Sequence, residues 1–86
     1  MTRTIFYKGK LYNGIFVSIY KGIYDIYIDR QARLAILMGS FNEVKSTQKL
    51  ETYQIDVLLD GDEEEIDFLD ELKKLEDKFE KEMYNE

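Results

Sequence analysis

The side chains in this sequence that are able to do chemistry are mostly carboxylates, and most of them lie in one block near the C-terminus. The chain has 86 residues, of which 18 are Asp or Glu, and it contains no His and no Cys. Paired carboxylates can act as general acid and base, but one of them must then be desolvated so that its pKa rises. The block "DGDEEEIDFLDELKK" instead predicts a solvated acidic surface. We therefore expect a protein that is not an enzyme.

The same block matches a calcium-binding loop only in part. Asp60, Asp62, Glu64 and Glu71 take the first, third, fifth and twelfth places of such a loop. The sixth place requires Gly for a sharp turn, and Glu65 stands there. No glycine-rich phosphate loop is present either, so the sequence predicts no metal site and no cofactor.

An amphipathic helix is predicted to carry these acids. Asp62 is a suitable N-cap, and Glu65, three residues later, is placed to complete a capping box. We expect the helix to run from Asp62 to about Asn85 as one long C-terminal acidic element. Its apolar stripe is predicted to comprise Ile66, Leu69, Leu72, Leu75, Phe79 and Met83.

The first sixty residues predict an antiparallel sheet. They are rich in β-branched and aromatic residues, and glycine-containing pairs at Lys8-Gly9, Asn13-Gly14 and Lys21-Gly22 indicate turns. "RLAILM" and "YQIDVLL" are predicted strands, and "GSFNEVKSTQKLET" is predicted to be a loop. The expected fold is α+β: a four- to five-stranded antiparallel meander or small open barrel, followed by the long helix. It forms a single domain, residues 1–86, with a β-rich basic part (1–60) and an acidic helix (61–86).

Both faces of the predicted middle strands are apolar. Ile23 and Tyr27 point to one face of the sheet, while Tyr24, Ile26 and Ile28 point to the other. One helix can cover only one face. The second face must therefore curl into a small barrel, pack on another chain, or bind a ligand.

Charge is distributed unevenly along the chain. Residues 1–50 carry eight basic and three acidic side chains, and residues 51–86 carry four basic and fifteen acidic ones, so that the net charge is −6. Such asymmetry indicates either a charged partner or contact between the two halves.

The main functional hypothesis is a small protein-binding module whose acidic helix engages a basic, nucleic-acid-binding surface of a target protein. Duplex DNA presents one charge per ~1.7 Å of axis, and a row of helical carboxylates can imitate that field. In size and charge alone, the chain resembles acidic phage and plasmid inhibitors of restriction, repair and CRISPR nucleases. The candidate partner-binding residues are Asp56, Asp60, Asp62, Glu63, Glu64, Asp67, Asp70 and Glu71.

Three other interpretations stay open. The acids can simply stabilise and solubilise the helix, because negative charge is favourable near a helix N-terminus. A single-stranded nucleic acid could stack on a Tyr/Lys-rich sheet, although a net negative protein repels it. The chain could also be a homo-oligomeric structural or regulatory protein whose interface is the second sheet face. The candidate residues for the nucleic-acid interpretation are Lys8, Lys10, Tyr12, Lys21, Tyr24, Arg30 and Arg33.

The sequence also bears on location. "MTRTIFYKGK" lacks the apolar segment of a signal peptide, and "LAILM" is too short to cross a bilayer. We therefore expect a cytoplasmic protein without a membrane partner.

Overall fold

A computed structural model describes residues 1–84 of the chain. It contains five strands and two helices: β1 (Thr2–Tyr7), β2 (Lys10–Tyr20), β3 (Tyr24–Asp29), β4 (Leu34–Met38), β5 (Val44–Lys49), α1 (Thr52–Asp60) and α2 (Ile66–Tyr84). The strands form one antiparallel sheet in the order β1-β2-β3-β4-β5. The predicted α+β fold, an open meander followed by a long C-terminal helix, is confirmed.

Two of the predicted hairpin turns are present. Lys8 and Gly9 have φ of 50° and 80°, and Lys21 and Gly22 have φ of 54° and 72°. Positive φ at both central residues is the geometry of a type I′ turn, whose twist matches that of the flanking strands. Lys8-Gly9 therefore sets the register of β1 with β2, while Lys21-Gly22 and Ile23 together form the connection from β2 to β3.

The predicted turn at Asn13-Gly14 is wrong, because both residues lie inside β2 and pair with β1. Gly14 serves a different purpose there. A Cβ atom at this position would lie 2.9 Å from Ile5 Cδ1 and 2.9 Å from Tyr27 Cβ. The glycine thus permits a close approach of side chains from the two neighbouring strands.

The segment "YQIDVLL" is helix α1, so its predicted strand is wrong. Its residues alternate in polarity, but they also place Ile55 and Leu58 three positions apart, and both are buried in the core. The backbone N–H of Glu51 donates to Gln54 Oε1 over 2.8 Å, which gives the helix a capping-box start. Gly61 ends the helix, and its N–H donates to the carbonyl of Val57.

The predicted loop over "GSFNEVKSTQKLET" contains the edge strand β5. Its side chains are largely polar, and only Ser46 is buried within it. Lysines at Lys45 and Lys49 are typical of an edge strand, where charge discourages pairing with another chain. Such a strand forms through its backbone pairing with β4 and lacks a strong apolar pattern of its own.

One face of the sheet is covered by the helices. Ile26, Ile28 and Leu37 are fully buried there against Ile55 of α1 and Phe79 of α2, within a larger apolar cluster. The helices lie over the end of β2 and over β3 to β5, while α2 packs along β5.

The other face of the sheet buries its own apolar residues. Ile5, Tyr27 and Ile36 form a second buried cluster, although neither helix contacts it. Irregular pairing in β2 and in β4 adds local twist. The sheet curls until Arg3 Nη2 of β1 donates to Asn42 Oδ1 beyond β4, over 2.6 Å. The predicted homodimer through this face stays a prediction, but it has lost the exposed apolar surface that motivated it.

Helix α2 begins later than predicted. Asp62 forms a turn before the helix, in which its Oδ1 atom accepts from the N–H of Glu64 over 3.0 Å, and the first helical residue is Ile66. Asn85, the predicted end, lies outside the described residues. Within residues 1–84, neither helix has the length and apolar character that a membrane span requires.

The apolar stripe of α2 also differs from the predicted one. At roughly 100° per residue, Phe68 lies about 20° from both Leu75 and Phe79, whereas Ile66 lies about 180° from Leu75. Accordingly Phe68, Leu75 and Phe79 are buried, while Ile66 and Leu69 are exposed. The predicted stripe was wrong at these two leading positions.

Candidate functional site

The acids of α1 are paired with a basic side chain of the sheet. Asp56 and Asp60 stand four residues apart on one face of the helix. Arg30, in the turn after β3, places its Nη1 atom 3.9 Å from Asp56 Oδ1 and its Nη2 atom 3.1 Å from Asp60 Oδ1. These two candidate partner-binding residues are therefore partly neutralised within the molecule.

Glu71 lies between the two helices and does not face solvent as predicted. Its Oε1 atom accepts a hydrogen bond from Gln54 Nε2 of α1 over 3.3 Å, and Lys74 Nζ lies 3.6 Å from its Oε2 atom. Only 12% of its side chain is exposed. Glu71 thus ties α2 to α1, and its carboxylate is not available to a partner.

The remaining five candidate acids are exposed at the connection between the helices and the start of α2. Glu65, the predicted capping-box residue, is exposed beside them. No salt bridge within residues 1–84 involves any of these six side chains. This surface is called the acidic edge below; it comprises Asp62, Glu63, Glu64, Glu65, Asp67 and Asp70.

Two apolar side chains stand within the acidic edge. Ile66 is 72% exposed and Leu69 is 52% exposed. Both were predicted to lie in the core. At roughly 100° per residue, Ile66 lies about 180° and Leu69 about 120° from the buried Leu75, which explains their exposure. The edge therefore offers apolar contact area together with negative charge, a combination suited to a protein partner.

The second half of α2 is electrostatically balanced. Lys73 Nζ lies 3.0 Å from Asp77 Oδ1, and Lys21 Nζ of the β2–β3 turn lies 3.0 Å from Glu80 Oε1. Hydrogen bonds to these carboxylates raise the pKa of both lysine ammonium groups. Burial raises the pKa of Glu76 above its ordinary value, since desolvation disfavours its ionised form.

The residues of the nucleic-acid interpretation are not assembled on one surface. Lys8 and Lys10 lie at the β1–β2 turn, whereas Lys21 lies at the opposite end of β2 and is bound to Glu80. Arg30 is bound to the acids of α1, and Arg33 is exposed in the β3–β4 turn.

The tyrosines of that interpretation are engaged in packing. Tyr24 is half-buried and stacks on Tyr20, with 6.2 Å between ring centroids. Tyr12 is half-buried against the second core cluster, on the other face of the sheet. A continuous platform of exposed tyrosines, on which bases could stack, is therefore missing from residues 1–84.

The partial calcium-loop spacing does not produce a ligand cage. Asp60 faces Arg30, Asp62 accepts the N–H of Glu64, and Glu71 is turned toward Gln54. In the part of the chain that the structure describes, no three carboxylates converge as metal ligands would.

The comparisons with known proteins add no relative. Searches against protein families, curated proteins and solved structures found no match to this chain.

Proposed function

We propose that this protein is a non-enzymatic binding module whose acidic edge engages a basic, nucleic-acid-binding surface of a target protein. The observation that supports this function is that six neighbouring carboxylates are exposed and form no salt bridge with a lysine or arginine within residues 1–84. Most other acids of the two helices do form such salt bridges. The target class is that of nucleases and other defence or repair proteins, which makes the module an anti-restriction or anti-CRISPR type of inhibitor from a phage or mobile element. Such targets act on nucleic acid, so the proposed location is the cytoplasm.

Electrostatics supports the proposal in two ways. Unpaired carboxylates on one surface create a local negative potential, which accelerates encounter with a positive groove and excludes acidic partners. Binding through such a surface should weaken steeply with salt, as binding of DNA to the same groove does.

The exposed Ile66 and Leu69 favour a protein target over simple solubilisation of the helix. A surface whose only role is solubility gains nothing from two large apolar side chains at its centre. Buried in a contact, each could contribute on the order of 1.5–3 kcal/mol, which would hold the complex together once charge has aligned it.

Capture from cells of the native host tests the proposal. The full chain is immobilised, bound proteins are identified by mass spectrometry, and duplex DNA is then used for elution. The expected result is a nucleic-acid-binding protein that the DNA displaces and that the variant Glu63→Lys/Asp67→Lys fails to retain.

A matched variant separates the acidic edge from net charge. Asp77→Lys/Glu80→Lys changes the charge by the same amount on the balanced half of α2, and it should retain the captured protein. Circular dichroism must show that both variants are folded. Equal loss of binding in the two variants, or retention of partners that DNA does not displace, would contradict the proposal.

A further inference from the structure

A second exposed apolar surface lies at the β1–β2 hairpin, and its surrounding charge is positive. Phe6 and Leu11 are directly paired across the two strands, so their side chains share one face of the sheet. They are 62% and 73% exposed. Lys8 and Lys10 flank them at the turn, and both are exposed. These four residues are called the basic hairpin below.

The basic hairpin and the acidic edge lie at the same end of the molecule. Asn13 of β2 donates its N–H to Asp29 Oδ2 at the end of β3, over 2.9 Å. Arg30, the next residue, is bound to Asp60 at the end of α1. The acidic edge starts two residues after Asp60. A short series of contacts therefore connects the two surfaces through the β3–β4 turn.

The two surfaces are complementary in character. Each presents a pair of large apolar side chains, Phe6 with Leu11 and Ile66 with Leu69, and all four are more than half exposed in a single copy. The first pair is bordered by lysines and the second by carboxylates. Single exposed apolar residues are ordinary, but two such pairs with opposite charge at one end of a small domain form a self-complementary surface.

We propose that two copies of this chain associate as a reciprocal dimer, in which the basic hairpin of each copy packs on the acidic edge of the other. Because both surfaces lie at the same end, a two-fold axis makes the contact twice and closes the assembly. Surfaces at opposite ends would instead lead to an open chain of copies. The occupant is a second copy because that copy brings both the opposite charge and the matching apolar pair.

This dimer does not depend on the function proposed above. It would, however, cover the acidic edge, so that a target protein and a second copy would compete for one surface. Self-association would then keep the acidic edge covered until a basic target protein displaces the second copy.

Sedimentation and light scattering of the full chain at low salt test the dimer. The expected mass is twice the monomer mass of 10.3 kDa at high protein concentration, with a return toward the monomer as salt is added. The variants Lys8→Glu/Lys10→Glu and Glu63→Lys/Glu64→Lys/Asp67→Lys/Asp70→Lys should each raise the dissociation constant at least about tenfold, because like charges then face each other. The second variant leaves two carboxylates and four ammonium groups on the acidic edge, so that its charge is reversed.

Mixing these two variants gives the decisive measurement. In the mixed dimer, the acidic hairpin of one variant meets the basic edge of the other. The second contact joins an unchanged basic hairpin to an unchanged acidic edge. Both contacts are therefore attractive again. Equimolar mixing should therefore restore dimers that neither variant forms alone. The control Lys78→Glu/Lys81→Glu makes the charge change of the hairpin variant in the second half of α2, and it should dimerise as the original chain does.

Three outcomes would overturn the dimer: a monomeric original chain at low salt, reversed variants that dimerise unchanged, or a mixture that stays monomeric while both variants are folded. Any of them would leave capture of a target by the acidic edge unaffected, because that experiment measures a different partner.

Discussion

Residues 62–70 and residues 71–84 follow each other along one acidic segment, yet they are held to the rest of the molecule in different ways. The second stretch buries Leu75 and Phe79 in the core, and three of its acids, Glu71, Asp77 and Glu80, lie in salt bridges with lysines. The first is anchored through Phe68, while Ile66, Leu69 and six carboxylates face solvent. The acidic segment therefore has two different parts. Residues 71–84 are held by core packing and salt bridges, whereas the carboxylates of residues 62–70 have no cationic partner within residues 1–84.

This difference shows that counting acids is a poor guide to a binding surface. Asp56, Asp60 and Glu71 belong to the same acidic block in the sequence, but the fold gives each of them a partner. An available charge is one that the tertiary structure has left without a counterion, and the six neighbouring carboxylates of the acidic edge meet that condition together.

The largest expected effect comes from removing an apolar side chain in each half. Phe79→Ala should lower the free energy of unfolding by about 3–5 kcal/mol, because it opens a cavity under α2. Leu69→Ala should change it by less than ~0.5 kcal/mol, because this side chain is exposed. Urea unfolding of the two variants, followed by circular dichroism, measures both. Similar losses of unfolding free energy in the two variants would show that residues 62–70 are held to the core as strongly as residues 71–84.

A charge reversal at the start of α2 should have a smaller effect. Asp67 lies in the first turn of the helix, where the dipole favours negative charge. Asp67→Lys should therefore reduce stability by ~0.3–1 kcal/mol at low salt, and added salt should shrink the loss. Asp67→Asn removes the charge without reversing it, and a loss equal to that of the lysine variant would contradict this explanation. Thermal unfolding at two salt concentrations provides the comparison.

The smallest effect concerns Glu76, on the balanced half. Burial raises the pKa of its carboxyl in the folded state, so folding opposes ionisation at neutral pH. Stability from this group is complete below its unfolded-state pKa and is lost as pH rises through the folded-state pKa. Glu76→Gln should therefore raise the urea midpoint slightly at pH 7, and the difference should vanish in acid. A lower urea midpoint of the variant at pH 7 would mean instead that Lys73 stabilises the carboxylate.

Local signals in the sequence predicted much of the fold. Gly9 and Gly22 tolerate the positive φ that the turns at residues 8–9 and 21–22 need, and apolar strand segments on both sides of them predicted two hairpins correctly. The capping sequence from Glu51 to Gln54 is an available sign of α1, but the alternating polarity of the following residues is typical of a strand. The helical angles of Phe68 and Ile66 were likewise calculable, and they would have corrected the apolar stripe.

Other features depend on contacts between distant residues and could not be predicted locally. Gly14 was interpreted as a turn residue because its sequence neighbour is Asn, while its real constraint comes from Ile5 and Tyr27. The exposure of Glu63 and Asp67 could be expected from their types. The neutralisation of Asp56 and Asp60 could not, since it depends on where the β3–β4 turn brings Arg30.

The curl of the sheet has a consequence for folding during synthesis. Of the five strands, β1 leaves the ribosome first, but Arg3 reaches Asn42 only after 39 further residues have followed. Until the β4–β5 hairpin that contains Asn42 has emerged, Tyr27 and its neighbours on the second face lack their final cover. Chaperones bind such transiently exposed apolar surface, and aggregation also proceeds through it. Deleting the first seven residues should therefore produce a chain that needs chaperones for its solubility, although both helices would remain intact.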